Sequence, residues 1–155
     1  MIKTGFKILI VGDVMLDEYI IGDHTRRSPE ADVPVIHFKD REYRLGGAAN
    51  VANNMKSMGL ESHLVSIIGE DSAGSSIQEI CTYSGIYAHL IVDSDRPTTK
   101  KTRIVDASFK QYLRLDEEST KAIGEGVFSA LKIKIESLIK TEKFDAIIIQ
   151  DYNKG

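Results

Sequence analysis

The chain has 155 residues, of which 42% are hydrophobic and 28% are charged, values that are ordinary for one folded domain with a substantial core. Its net charge of −3 argues against non-specific binding to nucleic acid or to an anionic membrane. The one cysteine, Cys81, cannot form an internal disulfide, and no apolar stretch reaches the length of a membrane span. We therefore expect a cytoplasmic protein that has neither a nucleic-acid nor a membrane partner.

The first predicted element is a buried parallel strand over Lys7–Val11, with the sequence KILIV. Gly12 ends this strand, and Asp13 and Asp17 follow it. Open α/β sheets bind their ligands beyond the carboxyl ends of the strands, so both carboxylates are candidate ligand groups. A role as a turn or helix cap would explain Asp13 equally well.

Two extended segments come next, Tyr19–Gly22 and Val33–Phe38, and they are separated by the polar stretch DHTRRSPEAD. Pro34 favours an edge position because proline cannot donate to a strand ladder. We expect a small β flap here, at about residues 19–38 and outside the main sheet.

The segment Arg44–Gly59, RLGGAANVANNMKSMG, predicts a glycine-rich turn that leads into a helix. Gly46 and Gly47 have no Cβ and would let the backbone approach a ligand closely, while Gly59 is placed to end the helix. Free N–H groups at such a helix start can hold polar or anionic groups. The same small residues would equally allow a helix to pack closely on a sheet. The motifs GxxxxGK[ST] and, after the first strand, GxGxxG are absent, which argues against a P-loop or a Rossmann dinucleotide domain.

The remaining pattern alternates between strands and helices. We predict strands over His63–Ile68 and Tyr87–Val92, a helix between them capped by Asp71 or Ser72, an antiparallel pair formed by Thr102–Ala107 and Phe109–Asp116, a helix over Ser119–Lys140 capped by Ser119, and a final strand over Ala146–Ile149 buried on both faces. This order predicts an α/β fold with a mainly parallel sheet flanked by helices.

Lys101 and Arg103 are two residues apart in a predicted strand, so their side chains share one face. Two neighbouring cations on one face require an anion. Phosphate on a substrate or nucleotide would meet this requirement, and so would an acidic neighbour such as Asp116. The four histidines show no metal-binding spacing, and we assign no metal ligand.

Seven motifs, taken in their order and spacing, resemble the ribokinase-type (PfkB) carbohydrate kinases over nearly the whole chain. They are GDVMLDEY (Gly12–Tyr19), RSPEADVPV (Arg27–Val35), RLGGAANVANN (Arg44–Asn54), GEDSAG (Gly69–Gly74), RPTTKKTR (Arg96–Arg103), QYLRLDEE (Gln111–Glu118) and QDYNKG (Gln150–Gly155). The SPEA run together with GGAAN is most similar to the heptose-7-phosphate kinases of lipopolysaccharide core synthesis.

The resemblance implies transfer of the γ-phosphate of ATP, with Mg²⁺, to a hydroxyl of a sugar phosphate. The substrate it implies is D-glycero-β-D-manno-heptose 7-phosphate, and the product is the 1,7-bisphosphate on the route to ADP-heptose. It further implies that Asp17 and Asn50 hold sugar hydroxyls and that Gly46 and Gly47 line the same pocket.

The resemblance also implies that Lys101 and Arg103 lie near the substrate phosphate, and that Asp151 and Lys154 lie in the phosphate-transfer region. The flap matches a lid that covers the sugar and contributes to a homodimer interface. Closing such a lid excludes water, which competes with the sugar as phosphoryl acceptor.

The sequence also departs from the family pattern. Asp32 stands where a second proline is expected, and Gln150 stands where a serine is usual. These kinases carry their catalytic base on a GAGD-type turn, and this sequence contains no GAGD. We therefore expect residues 1–155 to be the N-terminal, sugar-binding part of a truncated kinase domain that is inactive alone. Two alternatives are another sugar kinase of the family, for fructose or ribose, and a non-catalytic sugar-phosphate-binding module.

Overall fold

Eight strands and three helices form in residues 5–155, the part of the chain that the computed structural model describes. The strands are β1 (Lys7–Gly12), β2 (Val14–Arg27), β3 (Pro34–Gly46), β4 (Glu61–Ile68), β5 (Tyr87–Val92), β6 (Lys100–Val105), β7 (Gln111–Glu117) and β8 (Ala146–Gln150). The helices are α1 (Gly47–Ser57), α2 (Ser72–Tyr83) and α3 (Glu125–Thr141). None of these helices has both the length and the apolar character needed to cross a bilayer.

The main sheet has four parallel strands in the order β5-β4-β1-β8. The continuous apolar run of β1 and the almost complete burial of β4 are explained by helices on both faces of this sheet. Ile8 and Ile10 of β1 belong to the larger core cluster with α1 and α2, whereas Leu9 packs with Leu138 of α3. The predicted α/β fold, with a mainly parallel sheet flanked by helices, is confirmed.

The prediction that the last strand is buried on both faces is wrong for the described residues. β8 pairs only with β1, and it therefore forms an edge of the main sheet. Ile147 and Ile149 remain 52% and 77% exposed because α3 lies over β4 and β5 rather than over β8. Only Ile148, on the other face of the strand, packs against the larger core cluster.

A second sheet has the order β3-β2-β6-β7. The predicted segment Tyr19–Gly22 lies within β2, and Val33–Phe38 coincides with the start of β3 apart from Val33. The two strands form a hairpin that is longer than the sequence indicated. The predicted antiparallel pair is present as β6 and β7, and it joins the same sheet because β6 runs parallel to β2. Pro34 lies in the edge strand β3, as its missing N–H requires.

The glycine-rich turn before α1 is confirmed. Gly47 has φ +57° and begins the helix, and Gly59 has φ +83° just after its end. α2 is capped as predicted, because the Asp71 carboxylate accepts a hydrogen bond of 2.8 Å from the backbone N–H of Gly74. Cys81 is buried in this helix.

The predicted helix start at Ser119 is wrong, since α3 begins at Glu125 with Gly124 as its N-cap. The segment from 118 to 124 instead follows an irregular path, in which Glu118 forms ion pairs and the backbone carbonyl of Lys121 accepts a hydrogen bond from Arg96. Gly124 has low helix propensity and stands at the N-cap, where the helix has not yet begun.

Candidate functional site

Four charged side chains lie side by side across the second sheet. In the strand register Arg44 of β3 is opposite Asp17 of β2, Asp17 is opposite Lys101 of β6, and Lys101 is opposite Asp116 of β7. Residues that pair in this way project from the same face. We call these four residues the charged row.

Asp17 forms an ion pair with Arg103, with 2.5 Å between Oδ1 and Nη1. The guanidinium carbons of Arg103 and Arg44 lie 5.3 and 4.6 Å from the centre of the Tyr19 ring, within range of cation–π attraction. The Asp17 carboxylate is therefore oriented by a cation that is itself held against an aromatic ring.

The two glycines bring α1 against β2. A Cβ on Gly46 would lie 2.6 Å from Asp17 Oδ2, and a Cβ on Gly47 would lie 2.2 Å from the carbonyl oxygen of Asp13. The same carbonyl accepts a hydrogen bond of 2.8 Å from the N–H of Ala48 at the start of the helix. The structure thus shows a close approach of the two glycines to groups of the chain itself, and their approach to a ligand stays a prediction.

Asn50 lies on the exposed side of the first turn of α1. The turn that carries it begins beside Asp17 through Gly46 and Gly47. The structure thus places Asp17, Gly46 and Gly47 in direct proximity, with Asn50 on the adjoining turn of the helix.

The sequence left two explanations open for the basic pair on β6, and the structure shows the acidic neighbours. Lys101 Nζ lies 2.9 Å from Asp116 Oδ2 and 3.3 Å from Glu118 Oε2, while Arg103 pairs with Asp17. Burial lowers the pKa of Lys101, but hydrogen bonds to Asp116 and Glu118 outweigh it, so that the net shift of this pKa is upward. Lys101 therefore carries a full positive charge at neutral pH.

Glu118 connects the second sheet to the segment after β8. Its Oε1 lies 3.0 Å from Lys154 Nζ, and its Oε2 contacts Lys101. The hydrogen bond from Lys154 is the largest influence on the pKa of Glu118 and holds it below its usual range. The carboxylate is accordingly ionised between the two ammonium groups.

Asp13 has the structural role that the sequence allowed for it. Its Oδ2 accepts hydrogen bonds from the backbone N–H groups of Tyr152 at 2.7 Å and Lys154 at 3.3 Å. Asp151 is exposed and accepts a hydrogen bond from the N–H of Asn153, 2.6 Å away, within its own turn. Asp13 thus fixes the turn that carries Asp151 and Lys154.

A cavity of about 260 Å³ lies beyond the carboxyl ends of β1, β4 and β8. Its polar lining includes Asp13, Arg96, Thr98, Asp151 and Lys154. The residues predicted to contact the sugar lie outside this cavity, on the open face of the second sheet and on α1. The predicted residues therefore occupy two neighbouring places, and Glu118 joins them through its contacts with Lys101 and Lys154.

Three residues of the site were not predicted from the sequence: Tyr19, Arg44 and Glu118. Tyr19 and Arg44 lie at the ends of motifs that were recognised, but their proximity depends on the register between β2 and β3. Glu118 was assigned only to a motif, and its contact with Lys154 joins positions 36 residues apart in the sequence. Strand alternation indicates a face, yet it cannot indicate which distant side chain meets that face.

The parallel sheet, its flanking helices and the second sheet beyond its carboxyl edge define a ribokinase-like α/β fold. The phosphofructokinase-2 of Escherichia coli, solved in complex with fructose-6-phosphate, matches with a TM-score of 0.65 and 15% identity, over 96% of this chain and 45% of that one. A carbohydrate kinase from Agrobacterium tumefaciens matches with a TM-score of 0.60 and 21% identity, over 81% of this chain and 42% of that one. At such low identity these matches establish the fold alone.

The chain belongs to the pfkB family of carbohydrate kinases, whose family model matches residues 6–128. It is 38% identical to the D-beta-D-heptose 7-phosphate kinase of Bordetella bronchiseptica, over 96% of this chain and 46% of that protein. It is 39% identical to the bifunctional protein HldE of Helicobacter hepaticus, over 96% of this chain and 30% of that protein. The chain thus spans less than half the length of these curated relatives.

Proposed function

We propose that this chain is the sugar-binding part of an ATP-dependent kinase that converts D-glycero-β-D-manno-heptose 7-phosphate to the 1,7-bisphosphate. Its place would be the cytoplasmic supply of ADP-heptose for the lipopolysaccharide core. The family and the heptose kinase relative at 38% identity support the reaction class. The observation that carries the proposal is the Asp17–Arg103 pair at the start of α1, which offers a hydroxyl acceptor and a cation at one place.

Asp17 is suited to orient a sugar hydroxyl. Arg103 takes one of its carboxylate oxygens, Oδ1, and the other oxygen lies beside Gly46 at the entrance to α1. An ionised carboxylate accepts hydrogen bonds from hydroxyl groups more strongly than a neutral acceptor does. The Asn50 amide, one helical turn away on an exposed face, can contact a second hydroxyl with either its oxygen or its nitrogen.

Lys101 and Arg103 provide positive charge for the phosphate that the substrate already carries. Each is paired with a carboxylate in the structure, with Asp116 and Asp17 respectively. An arginine guanidinium binds phosphate through two parallel hydrogen bonds, and lysine binds it as a point charge. The substrate phosphate would therefore compete with neighbouring carboxylates for both cations.

Phosphoryl transfer also needs a base for the accepting hydroxyl and positive electrostatic potential around the γ-phosphate. The sequence contains no GAGD turn, and the relatives are more than twice as long as the matched region. We infer that the base and the nucleotide site belong to a further polypeptide segment, and that residues 1–155 alone do not catalyse transfer. Within residues 5–155, no three His, Cys, Asp or Glu side chains come together as metal ligands. Mg²⁺ would in such a kinase be held largely by the phosphates of the nucleotide, with one or two carboxylates.

The second sheet is suited to act as a lid and as a dimer interface. Leu113 and Leu115 pair with Ile104 and Thr102, and they project from the face opposite the charged row. Both leucines are exposed. These two leucines would be buried if two copies packed the β7 edges of their second sheets together.

The proposal is tested by steady-state kinetics with the product of the complete reading frame, ATP and three acceptors. Heptose 7-phosphate is expected to give a kcat/KM far above that of fructose 6-phosphate and of ribose. Asp17→Asn is expected to lower kcat/KM by about 10- to 1,000-fold because it removes the charged acceptor at the sugar. Asp95→Asn, at an exposed aspartate that is not part of the charged row, is the matched control.

Preference for fructose 6-phosphate or ribose would favour another sugar kinase of the family. Binding of heptose 7-phosphate without consumption of ATP, by the product of the complete reading frame, would favour the sugar-phosphate-binding module. Full activity of Asp17→Asn would exclude Asp17 from the sugar site.

A further inference from the structure

Glu118 is the only carboxylate within ion-pair distance of Lys154 Nζ in residues 5–155. The same side chain reaches Lys101, which has Asp116 as a second and closer partner at 2.9 Å. The two lysine side chains are each only 17% exposed, and that of Glu118 is 28% exposed. One carboxylate therefore bridges two partly buried ammonium groups that belong to distant segments of the chain.

The backbone around Glu118 differs from that of the two acidic residues of the charged row. Asp17 and Asp116 lie within β2 and β7, where the ladder hydrogen bonds fix their positions. Glu118 lies just after the end of β7, in the irregular segment that precedes α3. A residue outside the ladder can move its side chain and backbone without breaking strand pairing.

A carboxylate and a phosphate make the same kind of contact with an ammonium group. Both offer several anionic oxygens that accept charge-assisted hydrogen bonds, and a phosphate carries the larger charge. If Glu118 moves away, Lys101 keeps Asp116, whereas the ammonium group of Lys154 is left without an anionic partner among the described residues. The space between the two lysines then carries uncompensated positive charge.

We propose that Glu118 is an internal stand-in for a phosphate, and that a phosphate group of the ligand binds between Lys101 and Lys154 by displacing it. The inference rests on the proposed function, because it takes the ligand to be a phosphorylated sugar. It deepens that function by assigning the two lysines to one anion subsite and by giving Glu118 the role of a competing internal anion. Glu118 then determines specificity among anions. A weakly bound anion cannot displace it, whereas a sugar phosphate that is also held through its hydroxyl groups can.

The subsite also joins the two places between which the predicted residues are divided. Lys101 belongs to the face of the charged row, and Lys154 lines the cavity beyond the main sheet. A phosphate held by both would link the sugar side of the site to the turn that Asp13 fixes. The segment from 118 to 124 would stay joined to Arg96 through the carbonyl of Lys121.

The experiment measures the affinity of the purified protein for inorganic phosphate and for heptose 7-phosphate, by calorimetry at low ionic strength without ATP. Glu118→Gln keeps the shape of the side chain and removes its charge. It is expected to tighten the binding of inorganic phosphate by about 2- to 30-fold, the range covered by the loss of two partly exposed ion pairs. Glu79→Gln, which removes the same charge from an exposed position on α2, is expected to leave the affinity unchanged. The double variant Glu118→Gln/Lys154→Gln is expected to lose this increase in affinity for inorganic phosphate.

The stand-in role would be overturned if Glu118→Gln bound inorganic phosphate no more tightly than wild type. It would also be overturned if Glu79→Gln bound phosphate as tightly as Glu118→Gln, or if the double variant kept the higher affinity. The sugar arm of the experiment tests the proposed function separately. If heptose 7-phosphate binds no more tightly than inorganic phosphate while Glu118→Gln still gains, the stand-in role holds and the sugar assignment fails. If heptose 7-phosphate binds tightly and Glu118→Gln gains nothing, the sugar assignment holds and the stand-in role fails. Thermal unfolding of each variant shows whether the change acts on binding or on folding.

Discussion

Gly47 shows at the scale of one residue how the backbone constrains this site. Its φ of +57° and the 2.2 Å that would separate a Cβ from the Asp13 carbonyl oxygen both exclude a side chain. Gly47→Ala is expected to lower the free energy of unfolding by about 1–3 kcal/mol. Urea denaturation measures the change.

Gly126→Ala is the matched control for this substitution. Gly126 lies in the first turn of α3, and a Cβ there would meet nothing within 4 Å. The same change should therefore raise the free energy of unfolding by about 0.5–1 kcal/mol, because alanine favours the helix. Equal effects of the two substitutions would show that a Cβ at position 47 causes no backbone strain.

Asp71 provides a second residue-scale prediction, on pH. Its carboxylate accepts hydrogen bonds of 2.8 Å from the N–H groups of both Gly74 and Thr98, and it thereby joins α2 to the loop before β6. Burial tends to raise the pKa of Asp71, but these hydrogen bonds outweigh it, and the pKa is lowered overall. Asp71→Ala is expected to cost about 1–2 kcal/mol of unfolding free energy at pH 7.

The direction of the shift determines the pH dependence of this cost. Because the pKa of Asp71 is lower in the folded state than the unfolded value of about 3.9, its contribution is complete above that value and is lost as pH falls through the folded pKa. The difference between wild type and Asp71→Ala should hence shrink below about pH 4. Ser72→Ala at the next, exposed position is the control. A difference that stays constant down to pH 2 would contradict the assignment.

At the scale of elements, local signals in the sequence predicted most of the fold. Asp71 marked the start of α2 and Gly59 the end of α1, because capping and left-handed backbone depend on residues within one turn. The start of α3 was placed too early because the signal at Ser119 is local, whereas the ion pairs of Glu118 and the hydrogen bond to Lys121 are long-range. Tertiary contacts decided the path of that segment against its capping signal.

β8 shows the same limit for a strand. Its apolar run indicates a buried strand, but burial depends on which elements cover it, and in the described residues α3 lies over β4 and β5. An exposed apolar edge strand favours association with other chains. Ile147→Lys is expected to reduce light scattering by concentrated solutions of the 155-residue chain, with a change in unfolding free energy of about 0.5 kcal/mol or less.

Ile148→Lys is the control for the edge of β8, since Ile148 packs against the larger core cluster on the other face. It should destabilise the chain strongly, because it would bury a charge in an apolar core. If Ile147→Lys destabilises as much as Ile148→Lys does, then the outer face of β8 is covered in solution.

At the scale of the whole molecule, the candidate site could be predicted as a set of residues but not as an arrangement. The motifs supplied Asp17, Lys101 and Arg103, yet the register that brings Arg44 and Asp116 into the same row follows from pairing among four strands. A shift of one residue in any of these pairs would turn the side chains to the opposite face. That register is set jointly by the hairpin, the parallel β2–β6 pair and the core beneath them, and no single segment encodes it.

The proposed homodimer is a prediction about the whole molecule, and it depends on the face of the second sheet opposite the charged row. Leu113 and Leu115 are exposed on that face, so burying them against a second copy would favour association. The double variant Leu113→Lys/Leu115→Lys is expected to be monomeric in sedimentation equilibrium under conditions in which the wild type is dimeric. Its circular dichroism should remain unchanged, because both side chains already face solvent in one copy.

Tyr83→Lys is the control for the dimer, since Tyr83 is a large and even more exposed side chain at the end of α2. Tyr83→Lys should leave the molecular mass in sedimentation equilibrium that of the wild-type dimer, because α2 packs on the main sheet and is not part of the second sheet. If the wild type is monomeric at all concentrations, or if the leucine variant stays dimeric, this face is not the dimer interface. If Tyr83→Lys dissociates the dimer, the interface lies on α2. Dimer formation would then be independent of closure of the second sheet over the sugar.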